Sequence, residues 1–278
     1  MMADTTMDAP RQLRWRCQLN PAAWLWWGVI GLIVMFLLAP IIVVVIGSFS
    51  DQAYLVFPPR GLSLRWYVQA VSSREFRDSA LISLELGALA TLISTIVGIM
   101  AALGITARQQ PAAEVLMGLV SAPLLVPGIV VGIAMLFYFT DIGVGSTFTA
   151  LVLAHTVLTL PYVVRSVLAG LETVDRAVEE AAQSLGAGRF RVITTITLPM
   201  IRGSVLAGAV FAFIISFDEV VVTLFLASPR ITTLPVRIYN YIAYTSDPSI
   251  AAVSTLMIVV TTALVLVIDR YVGFARLL

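Results

Sequence analysis

Six apolar segments, each about the length of a membrane-crossing helix, constrain this chain more than any other feature. The chain is 59% hydrophobic and 12% charged over 278 residues, with a mean hydropathy of +0.98. The hydrocarbon core of a bilayer is ~30 Å thick and needs about 20 helical residues. The sequence therefore predicts an all-α polytopic membrane protein with six transmembrane helices. The predicted spans are residues 24–46, 81–105, 115–139, 148–168, 204–227 and 250–268.

The N-terminal region has the basic start of a signal peptide, with Arg11, Arg14 and Arg16 ahead of the first apolar segment. That segment is longer than a signal-peptide core of ~7–15 residues and lacks a clear small-residue cleavage site. We therefore predict a retained first span. The predicted domains are an N-terminal tail over residues 1–23 and a single membrane domain over residues 24–278.

The distribution of arginine predicts the orientation of the spans. An even number of spans places both termini on the same side, and cytoplasmic loops carry an excess of basic residues. With both termini inside, eleven of the 17 basic residues fall on the cytoplasmic side, so we predict this topology. Two long polar segments then remain, an outer one at residues 47–80 and an inner one at residues 169–203.

Three prolines fall inside predicted spans. Pro123 and Pro127 lie in the third span and Pro161 in the fourth. A proline removes a helical hydrogen bond and kinks the helix, and in a membrane the neighbouring helices satisfy the freed carbonyl group. We therefore predict kinks at these positions, as part of the geometry of the helix bundle.

Composition excludes several kinds of site. The single cysteine, Cys17, rules out an intramolecular disulfide and a cysteine-based metal cage, and the single histidine, His155, rules out a multi-histidine metal site. We therefore predict no metal site. Because His155 lies in an apolar segment, a packed and hydrogen-bonded neutral histidine is the simpler interpretation, with a functional role as the alternative.

The inner polar segment has the pattern of two short helices joined by a glycine turn. Thr173 or Asp175 is predicted to cap the first helix. Gly186, followed by Gly188, is predicted to end it. Pro199 is predicted to stop the second helix before the fifth span. The apolar positions are Val174, Val178, Ala181 and Leu185 in the first helix and Phe190, Ile193 and Ile196 in the second.

Two surroundings fit this segment, the lipid surface and a cleft in another protein. Lipid-surface helices usually carry bulky apolar residues opposite lysine or arginine. Here the apolar stripe is mainly alanine and valine, and the first half of the segment is acidic. The acidic residues are Glu172, Asp175, Glu179 and Glu180. This composition favours docking into a protein cleft, with an interfacial helix as the alternative.

Part of the inner segment resembles a known signature. Glu180-Ala181-Ala182, three residues, Gly186, nine residues and then Ile196-Thr197-Leu198-Pro199 is similar to the EAA motif of binding-protein-dependent ATP-binding cassette (ABC) importer permeases. The segment also lies in the expected place, on the inner side before the penultimate span. The resemblance extends over about residues 75–270, and more weakly over the first span.

The resemblance implies a type I importer permease fold (MetI-like), in which this segment is a coupling helix that docks on an ATP-binding subunit. The chain has no GxxxxGK[ST] phosphate loop, so we expect a transport subunit and not an enzyme. ATP and Mg²⁺ would be bound by a separate ATPase dimer, and this chain would bind no cofactor. Further implied partners in the bacterial inner membrane are a second permease, a paralogue, and an extracytoplasmic solute-binding protein. The residues that the resemblance assigns to coupling are Glu180, Ala181, Ala182, Gly186, Leu198 and Pro199.

Three carboxylates lie in the outer halves of predicted spans: Glu85 in the second, and Asp218 and Glu219 in the fifth. An ionised carboxylate at this depth costs at least ~2.5–3.5 kcal/mol, so such residues usually face a pathway or a partner. Neighbouring helical positions point about 100° apart. One of Asp218 and Glu219 is therefore predicted to line a substrate pathway and the other to bond within the bundle, in either assignment. A structural alternative is that the pair closes an outer gate through Arg230 or Arg237.

The sequence around these acids resembles the spermidine/putrescine branch of the family. The similarity is carried by residues 216–222, 233–235, Trp66-Tyr67 and 251–256. It implies import of a polyamine, and carboxylates along a pathway would attract such a polycation. Alternative solutes are opine-like compounds, other amino-acid-derived solutes and ferric ion.

Two other functional classes are weaker. An intramembrane aspartyl protease needs two cooperating aspartates on facing spans. Here Asp218 is deep in a span, while the next candidate, Asp269, lies at the far inner end of the sixth. A channel or an assembly scaffold would have no use for a signature that docks an ATPase.

Overall fold

The computed structural model describes residues 21–54, 56–107, 111–244 and 248–272. Within these ranges the regular elements are helices, accompanied by two isolated β-bridges and no strand. The predicted all-α class is therefore confirmed. Residues 1–20, which include most of the predicted N-terminal tail and Cys17, lie outside the described part of the chain.

The chain divides after Val44 into two compact units. The first contains most of α1 (Pro21–Gly47). The predicted domain boundary between residues 23 and 24 stays a prediction. The helices of the second unit are α2 (Arg65–Ser72), α3 (Arg74–Thr106), α4 (Ala112–Leu125), α5 (Gly128–Asp141), α6 (Phe148–Glu172), α7 (Arg176–Ser184), α8 (Arg189–Val192), α9 (Leu198–Met200), α10 (Arg202–Asp218), α11 (Val221–Leu226), α12 (Leu234–Tyr244) and α13 (Ser249–Val272), with a π-helical turn, Ile193–Thr197, between α8 and α9.

Each of the six predicted spans coincides with an apolar helix or a pair of helices. Within the described part of the chain, three helices are long and apolar enough to cross a membrane singly: α1 over Leu25–Gly47, α3 and α6. Two further candidates are bent pairs, α4 with α5 at 102° and Arg189–Met200 with α10 at 74°. The sixth predicted span lies in α13, where Ser249–Ala263 is a shorter apolar helix. The chain is a polytopic membrane protein, as predicted, with bends that the periodicity of the sequence did not indicate.

The third predicted span is broken and not merely kinked. Val126 is extended (φ −97°, ψ 134°), and Pro127 follows it as the N-cap of α5. A proline disfavours the helical conformation of the residue before it and fixes its own φ, so the helix stops and restarts at this pair. The predicted kink at Pro127 is therefore a bend of 102°. Pro123 and Pro161 lie inside continuous helices.

Helices α3, α6 and α10 form the centre of the second unit, and small residues let them approach closely. A Cβ atom on Gly98 of α3 would lie 2.6 Å from Cγ1 of Val163 on α6. A Cβ atom on Gly208 of α10 would lie 3.1 Å from the Cα atom of the same valine. Small residues at helix crossings permit such close packing in membranes. Val163 is fully buried between the two glycines.

The start of α10 is fixed to the end of α6. Ser166 Oγ donates a hydrogen bond to the Ser204 carbonyl over 2.7 Å. A Cβ atom on Gly170 would lie 2.6 Å from the Ser204 side chain, so the two backbones are in close contact there. Ile201, at the bend before α10, is buried in the same core. The inner polar segment leaves α6 and returns to α10 at this fixed crossing.

Candidate functional site

The first limb of the inner segment is α7, a helix of nine residues. Its N-cap is Asp175, whose Oδ1 accepts a hydrogen bond from the Ala177 N–H over 2.9 Å. A capping carboxylate also lies favourably at the positive end of the helix dipole. Of the two caps that the sequence allows, Asp175 is therefore the one used. Thr173 ends α6, where its hydroxyl donates to the Gly170 carbonyl.

The turn after α7 is built around Gly186, as predicted. Gly186 has φ +89°, a conformation that residues with a side chain rarely adopt. Its N–H donates to the Gln183 carbonyl over 2.9 Å, and the Ala187 N–H donates to the Ala182 carbonyl over 3.0 Å. These two bonds form a Schellman motif, which satisfies helix carbonyls that would otherwise lack partners. Gly188 has the different role of N-cap of α8.

The second limb, Arg189–Met200, returns the chain to α10. We call the two limbs together, residues 176–200, the elbow. Leu198 packs against the core formed by α3 and α6, while Pro199 is exposed. The expectation that Pro199 stops this helix is wrong by one residue, because the helix ends at Met200. It lies inside the continuous limb Arg189–Met200, two residues after the π-helical turn, and the chain turns at Ile201 instead.

A side-chain bond that the sequence did not indicate joins the two limbs of the elbow. The hydroxyl of Thr197, which is buried, donates to a carboxylate oxygen of Glu179. Thr197 closes the π-helical turn, and such turns often mark functional positions. This bond ties α7 directly to the limb that leads into α10.

The surface of the elbow that faces away from the helix core is exposed to solvent. No residue of α7 is buried, Glu180 and Ala181 are exposed, and Ala182 is half-buried. Leu185 and Phe190, at the two sides of the turn, are 90% and 80% exposed. A surface that combines carboxylates with large exposed apolar side chains is typical of a protein-interaction site.

The fifth predicted span is interrupted at its acidic pair. Helix α10 ends with Asp218, Glu219 is extended, and α11 begins at Val221. Glu219 is half-buried, and its Oε1 accepts a hydrogen bond from the Val222 N–H over 2.9 Å. Its carboxylate therefore caps the positive end of α11. Glu219 is thus the member of the pair that bonds within the bundle.

Asp218 is exposed and lines a cavity of about 490 Å³ beside α12 and α13. The polar side chains that share this lining are Tyr239, Ser254, Thr261 and Thr262, and the rest of the wall is apolar. The last carbonyl groups of a helix lack intrahelical partners and make its C-terminal end partly negative. Since Asp218 is the last residue of α10, carboxylate and helix end together favour a cation in this cavity.

The other charged residues suggested by the sequence, Glu85, Arg230 and Arg237, are absent from the described lining of this cavity. Glu85 is exposed on α3. Arg237 lies 3.6 Å from a Glu75 carboxylate oxygen and donates to Ser79 Oγ over 3.3 Å. Arg237 therefore has partners on α3, and the gate suggested between it and the acidic pair does not form in this structure.

His155 is fully buried at the break between α10 and α11. Its Nδ1 lies 2.8 Å from Ser216 Oγ on α10, and its Nε2 lies 2.8 Å from Thr223 Oγ1 on α11. The packed, hydrogen-bonded histidine that the sequence favours is thus what the structure shows. Within the described ranges, no three or more histidine, cysteine or acidic side chains come close enough together to hold a metal ion.

Sequence comparison identifies relatives over most of the chain. A family model described as "Binding-protein-dependent transport system inner membrane component" matches residues 94–275. The spermidine/putrescine transport system permease protein PotC of Haemophilus influenzae is 30% identical, over 83% of this chain and 89% of the relative. The putrescine transport system permease protein PotI of Escherichia coli K12 is 30% identical, over 80% of this chain and 82% of the relative.

Solved structures share the fold at lower identity. A chain of a bacterial ABC transporter involved in import of the polysaccharide alginate superimposes with a TM-score of 0.72, at 17% identity, over 91% of this chain and 96% of that one. A chain of the MetNI methionine ABC transporter superimposes with a TM-score of 0.57, at 16% identity, over 72% and 98%. These similarities confirm the predicted MetI-like permease fold.

Proposed function

Because the chain belongs to the family of binding-protein-dependent transport system inner membrane components, we propose that it is the permease subunit of an ABC importer for polyamines. The observation that carries this proposal is the exposed elbow. It presents Glu180 and Ala181 of the EAA motif outward, between a capped N-terminus and a glycine turn. The elbow and both termini would lie in the cytoplasm.

The partner that fits the elbow is an ATP-binding subunit. Leu185 and Phe190 provide apolar contacts, and Glu180 provides a carboxylate for a basic residue of the partner. Since the 278 residues contain no phosphate loop, ATP and Mg²⁺ would be bound by an ATPase dimer and not by this chain. The MetNI and alginate transporters, whose permease chains share this fold, are ABC transporters by name.

The exposure of Asp218 supports a second permease subunit. A carboxylate that faces acyl chains in the membrane would cost at least ~2.5–3.5 kcal/mol. A second permease against this side of the chain would replace lipid by a closed, hydrated pathway. The resemblance to paired permeases favours a paralogue in this position, with an extracytoplasmic binding protein that delivers the solute.

The chemistry of the Asp218 cavity supports a polyamine as the solute. One carboxylate at a negative helix end attracts an ammonium group, and the tyrosine and hydroxyl groups of the wall can accept its hydrogen bonds. The apolar remainder of the wall suits the methylene chain between two ammonium groups. PotC and PotI, the relatives at 30% identity, are by name permeases for spermidine and putrescine.

Transport then follows from rigid-body movement. Closure of the ATPase dimer would displace α7, and the Glu179–Thr197 bond would pass the displacement to the second limb. The close packing of Gly170 on Ser204 makes α6 and α10 move together from that point. The far end of α10 carries Asp218, so the solute site would open alternately to the two sides of the membrane.

Uptake of radiolabelled putrescine and spermidine tests this function. Cells that lack their own polyamine importers would express this chain with the ATPase, permease and binding-protein genes adjacent to its own. We expect ATP-dependent uptake that disappears when this chain alone is omitted. Uptake of ferric ion or an opine-like compound, with no uptake of either polyamine, would show that the proposed solute is wrong and that the proposed importer function is right. Assembly of all subunits without ATP-dependent uptake of any of these solutes would contradict the proposal.

A further inference from the structure

His155 occupies a position that the transport mechanism described so far does not use. It lies on α6, fully buried, and its two ring nitrogens bond to hydroxyl groups on opposite sides of the helix break. The break itself consists of Glu219 and Val220, and among the described residues the Glu219 carboxylate bonds to α11 alone. His155 is the side chain that connects the end of α10 to α11 through α6.

The hydrogen-bond network around this histidine engages both of its ring nitrogens. The Thr223 hydroxyl has one proton and donates it to the Glu219 carbonyl over 3.1 Å. In the arrangement where this bond forms, Thr223 Oγ1 accepts from His155 and Nε2 carries the proton. A neutral imidazole then has an unprotonated Nδ1, which accepts from the Ser216 hydroxyl. Both ring nitrogens have hydrogen-bond partners, and full satisfaction of this kind makes a buried polar side chain rigid.

We infer that His155 is a positioning residue for transport, which holds the C-terminal end of α10 against α11 and thereby fixes the place of Asp218 in its cavity. Ser216 lies two residues before Asp218, in the last turn of α10, and the last turn of a helix otherwise frays. Phe217, between them, is buried and stacks on Phe213 at 5.7 Å. The Asp218 carboxylate thus projects from a helix end that is held by the Ser216–His155 bond and by the packing of Phe217. The expected effect on transport rests on the proposed function, whereas the structural role of His155 does not.

Three substitutions separate positioning from simple packing. Thr223→Val keeps the size of the side chain and removes the hydroxyl, whereas Thr223→Ser keeps the hydroxyl. His155→Leu removes both bonds at once. We expect Thr223→Val and His155→Leu to speed hydrogen–deuterium exchange of the peptide covering residues 214–219 in the purified complex, by at least about threefold, the change expected for losing one hydrogen bond. Thr223→Ser is expected to exchange as the wild type does.

The transport readout is putrescine moved per ATP hydrolysed, in proteoliposomes that contain the complete complex and its binding protein. This ratio does not depend on how much transporter is folded, so a purely structural role would leave it unchanged. We expect it to fall at least about threefold in Thr223→Val and to recover in Thr223→Ser.

Unchanged exchange over residues 214–219 in both Thr223→Val and His155→Leu would overturn the inference, whatever the solute is. Faster exchange with an unchanged ratio would also overturn it, since His155 would then stabilise the helix end without positioning Asp218. A wild-type complex that hydrolyses ATP with its binding protein and moves no putrescine would contradict the proposed solute instead, and the exchange measurement would still decide the role of His155.

Discussion

Gly186→Pro is expected to lower solute uptake by at least about tenfold, because proline fixes φ near −65° and a forced change of this kind costs ~3 kcal/mol. Gly186 has φ +89°, so proline cannot occupy the native turn. The substitution also removes the N–H that donates to the Gln183 carbonyl. The Schellman motif would be lost, and α7 would meet the proposed ATP-binding partner at a different angle. Because the turn lies outside the apolar spans, membrane insertion and abundance are expected to stay normal.

The measurement is ATP-dependent uptake together with ATPase activity stimulated by the binding protein. Gly188→Ala is the matched control, because Gly188 has φ −68° and open space around its Cβ position. We expect the control to transport normally and Gly186→Pro to lose stimulation of the ATPase. Normal uptake in Gly186→Pro would show that the shape of the elbow does not matter for coupling.

Glu180→Lys tests the same surface through its charge. Glu180 is exposed and its carboxylate makes no hydrogen bond or ion pair with the described residues, so the chain should fold normally. We expect uncoupling, because the proposed basic partner of this carboxylate would meet a like charge. Glu114→Lys makes the same reversal at an exposed position in the first turn of α4, outside the elbow. A loss of uptake that is equal in the two variants would point to a general effect of surface charge.

Asp218→Asn is expected to reduce polyamine uptake by about tenfold or more, which is the effect of removing a hydrogen bond to a charged group. The variant keeps the size of the side chain and removes the charge that α10 presents to the cavity. Glu219→Gln is expected to transport nearly normally. Its amide oxygen can still accept from the Val222 N–H, so the cap of α11 remains.

Both variants should be compared at equal amounts of assembled complex, measured by purification with the ATP-binding subunit. The contrast between them is the diagnostic result, because the two residues are adjacent and their carboxylates have different surroundings. Full uptake in Asp218→Asn would show that the Asp218 carboxylate has no role in the substrate pathway. A larger loss in Glu219→Gln than in Asp218→Asn would reverse the assignment of the two roles.

Local features of the elbow could be read from the sequence because they depend on few neighbouring residues. An aspartate before an acidic helical turn is a cap, and a glycine after the last apolar position is a helix end. Asp175 and Gly186 have these roles in the structure. The six apolar segments were equally predictable from the sequence, since the thickness of the bilayer sets their length.

Features that depend on contacts between distant residues could not be predicted from the sequence. The Glu179–Thr197 bond joins positions 18 residues apart, and the two bonds of His155 span 61 and 68 residues. The roles of Asp218 and Glu219 were likewise open, because hydropathy does not show that the helix stops between them. The proline at 127 indicated a disturbance of the helix, but its bend of 102° depends on how α4 and α5 pack on their neighbours.

The central claim is that the elbow is cytoplasmic and contacts an ATP-binding subunit, and crosslinking from Leu185 tests it most directly. In a background with Cys17→Ser, the variants Leu185→Cys and Leu62→Cys place single cysteines on residues that are 90% and 79% exposed, in the elbow and in the outer polar segment. In membranes that contain the complete complex, each cysteine would be labelled with a benzophenone maleimide, which crosslinks to neighbouring molecules. In intact cells, each would be treated with a membrane-impermeant maleimide, which labels cysteines on the outer side. We expect position 185 to crosslink to the ATP-binding subunit and to be protected in intact cells, and position 62 to show the opposite pattern. Labelling of position 185 from outside, or crosslinks from it to lipid alone, would contradict the account.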